Sequence, residues 1–545
     1  MKRRGFLKKI PIAASAPVVL NGLPVGLLAK GQLQQVVSSS DNDKVLVLIQ
    51  LHGGNDGLNA VIPIDQYAQY FNLRPNIAIP DNGSRGYIPL DSTLDVGDQV
   101  GLHPDMVGTK NLYDQGKAAI VQGVSYENHN GSHFRSRDIM FMGGDYDDYL
   151  GSGWMGRYLD YCFPNYPDAY PTTEMPDPLG LEIGNSVSLA FHRDNGIPTA
   201  VAANDPEGFF DLINNTGGLP PDAVLDTHYG QEVQWIMDIE ANSNQYADRL
   251  KEVFDNGSNT AGVTYPETYP LAAGRLNNPL SPQLKLIARM ISGGSKTKIF
   301  LARIGGFDTH GNQVESYDPT LGNHAALLYH ISAAVEAFQN DLQGLGLEDR
   351  VVTATFSEFG RRAASNASYG TDHGNAAPMF VFGKAVKPGI IGTNPDLESL
   401  SGNNIPMQVD YRQVFTTILH DFMEAPDEAM VQTLFDSFLD KKLDLFSTLV
   451  TSTRDDFISK RFKLHSAYPN PVRDRTTFSY YINTSVQVDM ELFDTGGRRI
   501  RSLISEKQGV GEHRVTLDLS DLKPGTYVYR MKAGPLDTAK KLIKI

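Results

Sequence analysis

The chain has 545 residues, of which 41% are hydrophobic and 20% charged, a balance that is typical of folded proteins and excludes a largely disordered chain. The formal net charge of −15 argues against nucleic acid as a partner, because an acidic surface repels polyanions. The single cysteine, Cys162, excludes an internal disulfide and a structural zinc site built from cysteines.

The first 35 residues have the features of an export signal. Five basic residues in MKRRGFLKK precede an apolar stretch that is interrupted by prolines and Asn21, which makes it too weak for a membrane span. Arg3 and Arg4, followed by Gly-Phe-Leu-Lys, resemble the twin-arginine signal, whose pathway carries folded proteins. A general secretory signal, or a basic start without export meaning, is the alternative. We predict no transmembrane anchor.

Residues 44–450 alternate short apolar runs with helical patterns. The runs KVLVLIQ, AAIVQGV, KIFLARI, VVTATF and MFVFG lack polar alternation, as strands buried on both faces do. Apolar residues at steps of three and four predict one helix over 324–342, which ends at Gly344. The pattern predicts an α/β domain whose mostly parallel sheet is flanked by helices. Residues 145–282 are predicted to be long insertions that contain one helix near 230–254.

Polar side chains cluster where these runs end. Ligands of open α/β sheets bind beyond the carboxyl ends of the strands, so the groups there are candidate site residues. In chain order they are His52, Asn55, Asp56, His129, Ser132, His133, Arg135, Arg137, Asp308, His310, Glu358, Arg361, Asp372 and His373. Helix capping explains Asp and Asn in any one loop but not repeated histidines beside glycines. Carboxylates and imidazoles in one cleft predict a divalent ion: zinc, manganese or calcium.

The last part of the chain, residues 462–545, differs in charge and pattern. From Lys460 onward, 16 Lys and Arg against 9 Asp and Glu give +7, which leaves −22 for the preceding residues. The change of sign predicts a boundary near residue 455. VQVDMELFD and VTLDLSDLKPGTYVYRM alternate with a period of two, which predicts short strands in a small β-sandwich.

Four segments of this region, YPNPV, LFDTGGRRI, LKPGTYVYR and KKLIKI, together resemble the C-terminal sorting domain of the type IX secretion system. The resemblance implies the type IX machinery as a partner and a protein that is secreted or held on the surface of a Gram-negative bacterium. An adhesive or carbohydrate-binding sandwich is the alternative. Type IX cargo usually crosses the inner membrane by the general secretory route, which conflicts with the twin-arginine interpretation.

The motifs of residues 44–440 resemble a large family of exported bacterial proteins. They are LHGGNDGLNAVIP, VQGVSYENHNGSHFRSRDIM, GSGWMGRYLD, GGFDTHGNQ, FSEFGRR and TDHGNAAPMFVFG. The family is catalogued as a domain of unknown function and grouped with the alkaline phosphatase and sulfatase superfamily. The resemblance implies an alkaline-phosphatase-like sheet with one or two metal ions at the strand ends, and hydrolysis of phosphate or sulfate esters.

The resemblance also implies roles for individual residues. The implied metal ligands are Asp56, Asp308, His310, Glu358 and His373. Ser132 is the implied nucleophile, with Arg135 as a binder of the substrate oxyanion and His133 as a further catalytic residue. Phe359 follows Glu358 where many relatives have histidine, so a second ion is short of one imidazole. Binding of a single ion, substitution by His52 or Asp372, and loss of catalysis are therefore alternatives. His324 is equally well a core histidine or a ligand.

We expect from these observations a secreted or cell-surface, metal-dependent hydrolase of phosphate or sulfate esters, with an anionic ester or a glycan as its substrate. A non-catalytic surface protein that uses the same fold to bind a glycan or protein partner is the main alternative, because fold does not fix function. A third hypothesis is that the protein is a structural assembly factor of the cell surface.

Overall fold

The computed structural model describes residues 18–20, 23–25, 42–167, 169–203, 246–446 and most of 462–545, the gaps in the last range being 465–466, 468–469, 471, 483–485, 495–497, 510 and 534–535. The chain divides into two compact units, residues 1–447 and 448–545, which we treat separately. Most of the predicted export signal and most of the helix predicted near 230–254 lie outside the described residues. In the described parts of the chain, no helix has the length and hydropathy needed to cross a bilayer.

The strands of the first unit include a short antiparallel pair followed by those of a large sheet and two small ones. They are β1 (Val18–Leu20), β2 (Leu23–Val25), β3 (Val45–His52), β4 (Val61–Pro63), β5 (Ile88–Pro89), β6 (Val100–Leu102), β7 (Ala118–Ser125), β8 (Gly180–Glu182), β9 (Ala200–Ala202), β10 (Ile299–Gly305), β11 (Val351–Phe356), β12 (Arg361–Ser365), β13 (Thr371–His373), β14 (Ala377–Phe382), β15 (Gly389–Ile391) and β16 (Val409–Asp410).

A nine-stranded mixed sheet forms the centre of this unit. Its order is β15-β7-β14-β11-β3-β10-β8-β9, and β16 also pairs with β7. Strand β3 pairs in parallel with both β10 and β11, and β8 and β9 extend the parallel part. Strand β14 runs antiparallel to its neighbours β11 and β7. Because β3, β7, β11 and β14 are buried along almost their whole length, they carry apolar runs without alternation.

Ten α-helices of the described residues accompany the sheet. They are α1 (Gly57–Ala60), α2 (Tyr67–Leu73), α3 (Val107–Asp114), α4 (His133–Met142), α5 (Trp154–Cys162), α6 (Ala247–Asn256), α7 (Ser281–Ser292), α8 (Asn323–Gly344), α9 (Tyr411–Thr417) and α10 (Asp427–Thr433). Helix α8 packs against α3 and α7 and is buried on most sides, including polar residues such as Gln339 and Asp341. It begins one residue before the predicted start and ends at the predicted Gly344.

The second unit consists of two antiparallel sheets. Its strands are β17 (Phe462–Leu464), β18 (Arg475–Ile482), β19 (Val486–Asp494), β20 (Arg499–Gln508), β21 (Gly511–Asp518), β22 (Gly525–Ala533) and β23 (Leu536–Lys544). One sheet has the order β17-β18-β21 and the other β20-β19-β22-β23. Phe478, Tyr480, Met490 and Tyr529 are buried in a core of their own. The predicted fold class was an α/β domain with a mostly parallel sheet flanked by helices, followed by a small β-sandwich. It is confirmed by the largely parallel central sheet with its helices and by the antiparallel sheets of the second unit.

Candidate metal centre

Three histidines converge on one aspartate beyond the carboxyl end of the parallel sheet. Asp308 follows β10, His310 lies two residues further on, His373 is the last residue of β13, and His133 is the first residue of α4. Ligand atoms of His133, Asp308 and His373 all lie within 4.8 Å of one another. The folded chain thus places side chains from three distant segments around one small volume.

The distances define the geometry of this cluster. His133 Nε2 lies 3.4 Å from Asp308 Oδ2, and His373 Nε2 lies 3.2 Å from Asp308 Oδ1. His310 Nε2 is 3.3 Å from Asp308 Oδ1 and 2.8 Å from His373 Nε2. All three imidazoles therefore present the same nitrogen, Nε2, to the one carboxylate. We call His133, Asp308, His310 and His373 the centre.

The opposite nitrogen of each imidazole faces an oxygen acceptor. His133 Nδ1 lies 2.9 Å from Glu358 Oε1, His373 Nδ1 lies 2.7 Å from the Gly131 carbonyl oxygen, and His310 Nδ1 lies 3.4 Å from Asp372 Oδ1. Carbonyl and carboxylate oxygens only accept, so each Nδ1 can donate a hydrogen bond to its neighbour while the ring turns Nε2 towards Asp308. The Nε2 atoms of His310 and His373 lie 2.8 Å apart, a distance that a shared proton or a cation between them accounts for.

Arg361 fixes the carboxylate of the centre. Its guanidinium is fully buried and donates to Asp308 Oδ1 at 2.7 Å and to the carbonyl oxygens of Phe307, Gly54 and Gly53. Partial burial would raise the pKa of Asp308, but the hydrogen bonds from Arg361 and His373 outweigh it and lower that pKa to about 2. The carboxylate is therefore ionised at neutral pH.

The turn after β3, His52-Gly53-Gly54, lets two loops approach each other closely. Gly53 has φ +125°, and a Cβ atom there would lie 2.3 Å from the backbone nitrogen of Asp308. Any side chain at this position would push Asp308 out of place. The Gly53 N–H donates to Glu358 Oε1 at 2.8 Å, so the turn also contacts the residue behind His133.

Glu358 lies behind the centre rather than within it. Its side chain is 0% exposed, and Oε1 accepts hydrogen bonds from both Gly53 N and His133 Nδ1. Its other oxygen, Oε2, is buried without a hydrogen-bond partner in the described part of the chain. The hydrogen bond to Glu358 raises the pKa of His133 above its ordinary value. The geometry connects Glu358 to the centre through His133.

Asp56 also lies behind the centre. It is 1% exposed, and its carboxylate accepts hydrogen bonds from Arg74 at 2.8 and 3.0 Å and from Gln313 Nε2 at 2.6 Å. The Gln313 amide oxygen accepts in turn from the hydroxyls of Thr309 and Thr371. Asp56 thus braces the two loops that carry Asp308, His310 and His373. Among the described contacts, none joins Asp56 to the three histidines.

The residues predicted to be catalytic separate into two groups. Ser132 is exposed, is the N-cap residue of α4, and makes no capping hydrogen bond with its hydroxyl. It lies between Gly131, whose carbonyl oxygen accepts from His373, and His133. Arg135 instead donates to the carbonyl oxygens of Tyr146 and Asp148 and lies 3.9 Å over the Tyr149 ring. Ser132 therefore lies beside the centre, whereas the Arg135 side chain is hydrogen-bonded to the loop after α4.

Two other histidines with open roles lie near the centre. His324 is fully buried, and its Nε2 is 3.0 Å from Asn55 Oδ1. Burial lowers the pKa of His324 to about 4, so it is neutral at physiological pH. The His52 ring is 6.1 Å from that of His133, and burial lowers its pKa as well. His324 is packed in the core. The negative charge of Asp56 favours the protonated form of His324, but Asp56 is itself paired with Arg74.

Sequence reasoning missed the role of Gln313 and the bracing role of Asp56 and Glu358. Gln313 is visible in the segment FDTHGNQ, but glutamine near a strand end has no characteristic chemistry. The only available signal was the spacing of Thr309 and Gln313, four residues apart in one loop.

The fold and the centre together describe an α/β protein with a histidine- and aspartate-rich site at the strand ends. Within that class, residues 233–437 match the family "Protein of unknown function (DUF1501)", and residues 466–545 match the "Secretion system C-terminal sorting domain". The predicted match to a domain of unknown function is confirmed over residues 233–437, and the predicted sorting domain over residues 466–545. The sorting domain marks the protein for export, so it is secreted or held at the cell surface. No curated protein sequence matches the chain.

The solved structures that the chain matches include a member of the alkaline phosphatase superfamily and a sulfatase, all at low TM-scores. Ps i-CgsB in complex with k-i-k-neocarrahexaose is 10% identical, with 81% of this chain and 84% of that chain covered and a TM-score of 0.32. A protein in the alkaline phosphatase superfamily from Vibrio parahaemolyticus is 9% identical, with 84% and 85% covered and a TM-score of 0.31. PsFucS1 sulfatase from Pseudoalteromonas sp. is 9% identical, with 90% and 88% covered and a TM-score of 0.29. Identities and scores this low assign no activity to this chain.

Proposed function

We propose that this protein is a secreted or cell-surface, metal-dependent hydrolase of phosphate or sulfate esters that works at the centre. The observation that carries the proposal is the convergence of three imidazole Nε2 atoms on one ionised carboxylate. His133 Nε2 is buried without a hydrogen-bond partner in the described part of the chain, and His310 and His373 face each other at 2.8 Å. Nitrogen and oxygen donors of this kind fit a divalent transition metal ion.

The donor set favours zinc or manganese over calcium. Calcium takes six to eight oxygen ligands in proteins, whereas three imidazoles and a carboxylate suit zinc. His133, Asp308, His310 and His373 would hold the ion. When bound, a divalent ion polarises an ester oxygen and lowers the pKa of a hydroxyl or water beside it. Asp308 is kept ionised by Arg361, and the three Nδ1 hydrogen bonds keep the imidazoles in the correct tautomer.

Ser132 is the proposed nucleophile. Its hydroxyl is exposed and is not used to cap α4, and both of its neighbours in the chain contact the centre. Arg135 anchors residues 146–149, which supports a role in shaping the rim of the site rather than in binding the substrate oxyanion. In this proposal Asp56 and Glu358 hold the residues of the centre in place without binding the ion. One ion is enough for the reaction.

Metal content and turnover test the proposal. The protein is purified without residues 1–41, loaded with Zn²⁺ or Mn²⁺, desalted, and assayed with aryl phosphates and aryl sulfates. We expect about one ion per chain, and little bound metal in His133→Ala and His373→Ala. His420→Ala is the matched control, because His420 also contacts carboxylates, Asp421 and Asp427, but lies outside the centre. Absence of stoichiometric metal in the unmodified protein would overturn the proposal.

The role of Ser132 is tested separately. Ser132→Ala should lower kcat by at least about 10³-fold without changing the metal content, because nucleophile removal acts on the chemical step. Unchanged turnover in Ser132→Ala would remove Ser132 from the mechanism but leave the centre in place.

A second candidate function is non-catalytic binding of a glycan or protein. It is favoured by exposed aromatic rings around α4: Phe134 is 74% exposed and Tyr149 is 82% exposed with Arg135 stacked on one face. Such rings suit stacking against a partner. This alternative predicts measurable binding without turnover of any ester, and binding that survives Ser132→Ala.

A further inference from the structure

We infer that Glu358 is a positioning residue that sets the tautomer and direction of His133 for metal binding. The inference deepens the proposed function, since it rests on the same centre. It assigns Glu358 to the layer behind the ligands, where a carboxylate orients an imidazole by accepting its second N–H.

The first support is geometric. Glu358 Oε1 lies 2.9 Å from His133 Nδ1, and His133 Nε2 lies 3.4 Å from Asp308 Oδ2 on the other side of the ring. The imidazole therefore bridges two carboxylates, one buried and one in the centre. Because Glu358 Oε1 is the closer of the two acceptors, 2.9 Å from Nδ1 against 3.4 Å from Nε2 to Asp308, it takes the N–H of the ring and leaves the Nε2 lone pair for the centre.

The second support is how firmly Glu358 itself is held. Its side chain is 0% exposed, and the Gly53 N–H donates to the same oxygen that accepts from His133, at 2.8 Å. A buried acceptor with two donors has little freedom to turn. Asp372 makes the corresponding contact with His310, but at 3.4 Å and with its side chain 51% exposed. We therefore expect the orienting effect to be much larger at His133 than at His310.

The alternative is that Glu358 only stabilises the turn after β3. Ser357 provides a matched control for this alternative. Its hydroxyl accepts from Asn55 N at 3.0 Å and donates to the Leu51 carbonyl oxygen at 2.8 Å, so among the described contacts it holds the same strand end and does not touch His133. A variant at Ser357 perturbs the turn and leaves the orienting hydrogen bond intact.

The test compares zinc affinity in Glu358→Met, Glu358→Gln, Asp372→Asn and Ser357→Ala by competition with a chelator. Methionine keeps the length of the side chain but accepts no comparable hydrogen bond, whereas glutamine keeps one acceptor oxygen and loses the charge. We expect affinity to fall roughly 10–100-fold in Glu358→Met, less in Glu358→Gln, and by under about threefold in Asp372→Asn and Ser357→Ala. Equal losses in Glu358→Met and Ser357→Ala would overturn the inference, as would no loss in Glu358→Met.

A second readout needs no metal. Long-range ¹H–¹⁵N spectra of the imidazoles in the zinc-free protein report which nitrogen of His133 carries the proton. We expect the Nδ1–H tautomer in the unmodified protein and in Ser357→Ala, and a shift towards Nε2–H in Glu358→Met. An unchanged tautomer in Glu358→Met would contradict the positioning role. If the unmodified protein binds no divalent ion, the proposed function fails, and the tautomer alone then decides the role of Glu358.

Discussion

At the scale of single residues, Asp56 shows how a site residue chosen by its place in the chain can have a structural role. It follows β3 directly, as a metal ligand would, but its carboxylate is taken up by Arg74 and Gln313. Both Asp56 and Arg74 are almost completely buried. Breaking a buried ion pair leaves an uncompensated charge in the interior, which is much more costly than breaking an exposed pair.

The Asp56→Asn variant should lower the free energy of unfolding by about 3–5 kcal/mol, because Arg74 keeps its charge without a carboxylate. The measurement is urea unfolding followed by tryptophan fluorescence, since both tryptophans, Trp154 and Trp235, belong to residues 1–447. Asp114→Asn is the control: Asp114 is 53% exposed and pairs with Lys110, so its loss should cost under about 1 kcal/mol. Similar losses in the two variants would contradict the bracing role.

His324 gives a prediction for the pH dependence of stability. Burial lowers its pKa from 6.5 to about 4 in the folded protein. Between these values the unfolded chain binds a proton that the folded protein does not, so stability falls as the pH decreases from 6.5 towards 4. His324→Gln should reduce the loss of stability between pH 7 and pH 5 by about 2 kcal/mol. Urea unfolding in the presence of a chelator measures the free energy of unfolding at each pH. Parallel curves of this free energy against pH for the two proteins would refute the prediction.

At the scale of elements, the turn after β3 carries a constraint that no single contact reveals. Gly53 must have no side chain because the backbone of Phe307 and Asp308 passes against it. Gly83 provides a comparison: it also has positive φ, +88°, but nothing lies within 4 Å of a Cβ built there. Strain from the backbone conformation is common to both positions, whereas the clash is specific to Gly53.

Gly83→Ala should cost about 1–2 kcal/mol, which is the strain of a left-handed residue. Gly53→Ala should cost distinctly more and should also reduce bound zinc, because Asp308 has to move. Urea unfolding and metal analysis of both variants check this. Equal costs and full metal content in the two variants would show that the close approach is unimportant.

The sequence allowed the meeting of the strand ends to be predicted, but not the direction of each side chain. Parallel strands end at one edge of a sheet, so Asp308, which follows β10, was foreseeable at that edge. His373 precedes β14 and reaches the same edge because β14 runs antiparallel to β11, which its apolar run does not reveal. Whether Glu358 points at an ion or at His133 depends on Gly53, which lies 305 residues away in the chain. Likewise, the partner of Asp56 is Arg74, a residue in no recognisable motif. Local patterns carry no information about such pairings.

At the scale of the whole molecule, the two units have separate hydrophobic cores and different charges. The second unit encloses its own buried residues, such as Tyr480 and Met490, and matches the sorting domain. The first unit contains every residue of the centre. Recognition by the secretion machinery and metal binding are therefore expected to be separable.

Deletion of residues 448–545 should abolish secretion and leave the zinc affinity of the remaining protein unchanged. Fractionation of a type-IX-competent host measures the first effect, and chelator competition measures the second. As a control, residues 448–545 fused to an exported reporter should direct the reporter to the cell surface. Secretion of the truncated protein, or loss of zinc binding on truncation, would contradict this division of roles.

The position of β3 has a consequence for biogenesis. It lies between β10 and β11 in the sheet, yet it is made long before either, since Val45 pairs with Val351 and Leu46 with Ile299. Strand β3, the first long strand to leave the ribosome, therefore cannot pair with both β10 and β11 until residue 356 has been synthesised. During that interval the nascent polypeptide has no completed sheet, and a translocase that threads extended chains meets no folded obstacle. The sheet itself is complete only when β14, β15 and β16 have followed, which requires synthesis up to residue 410.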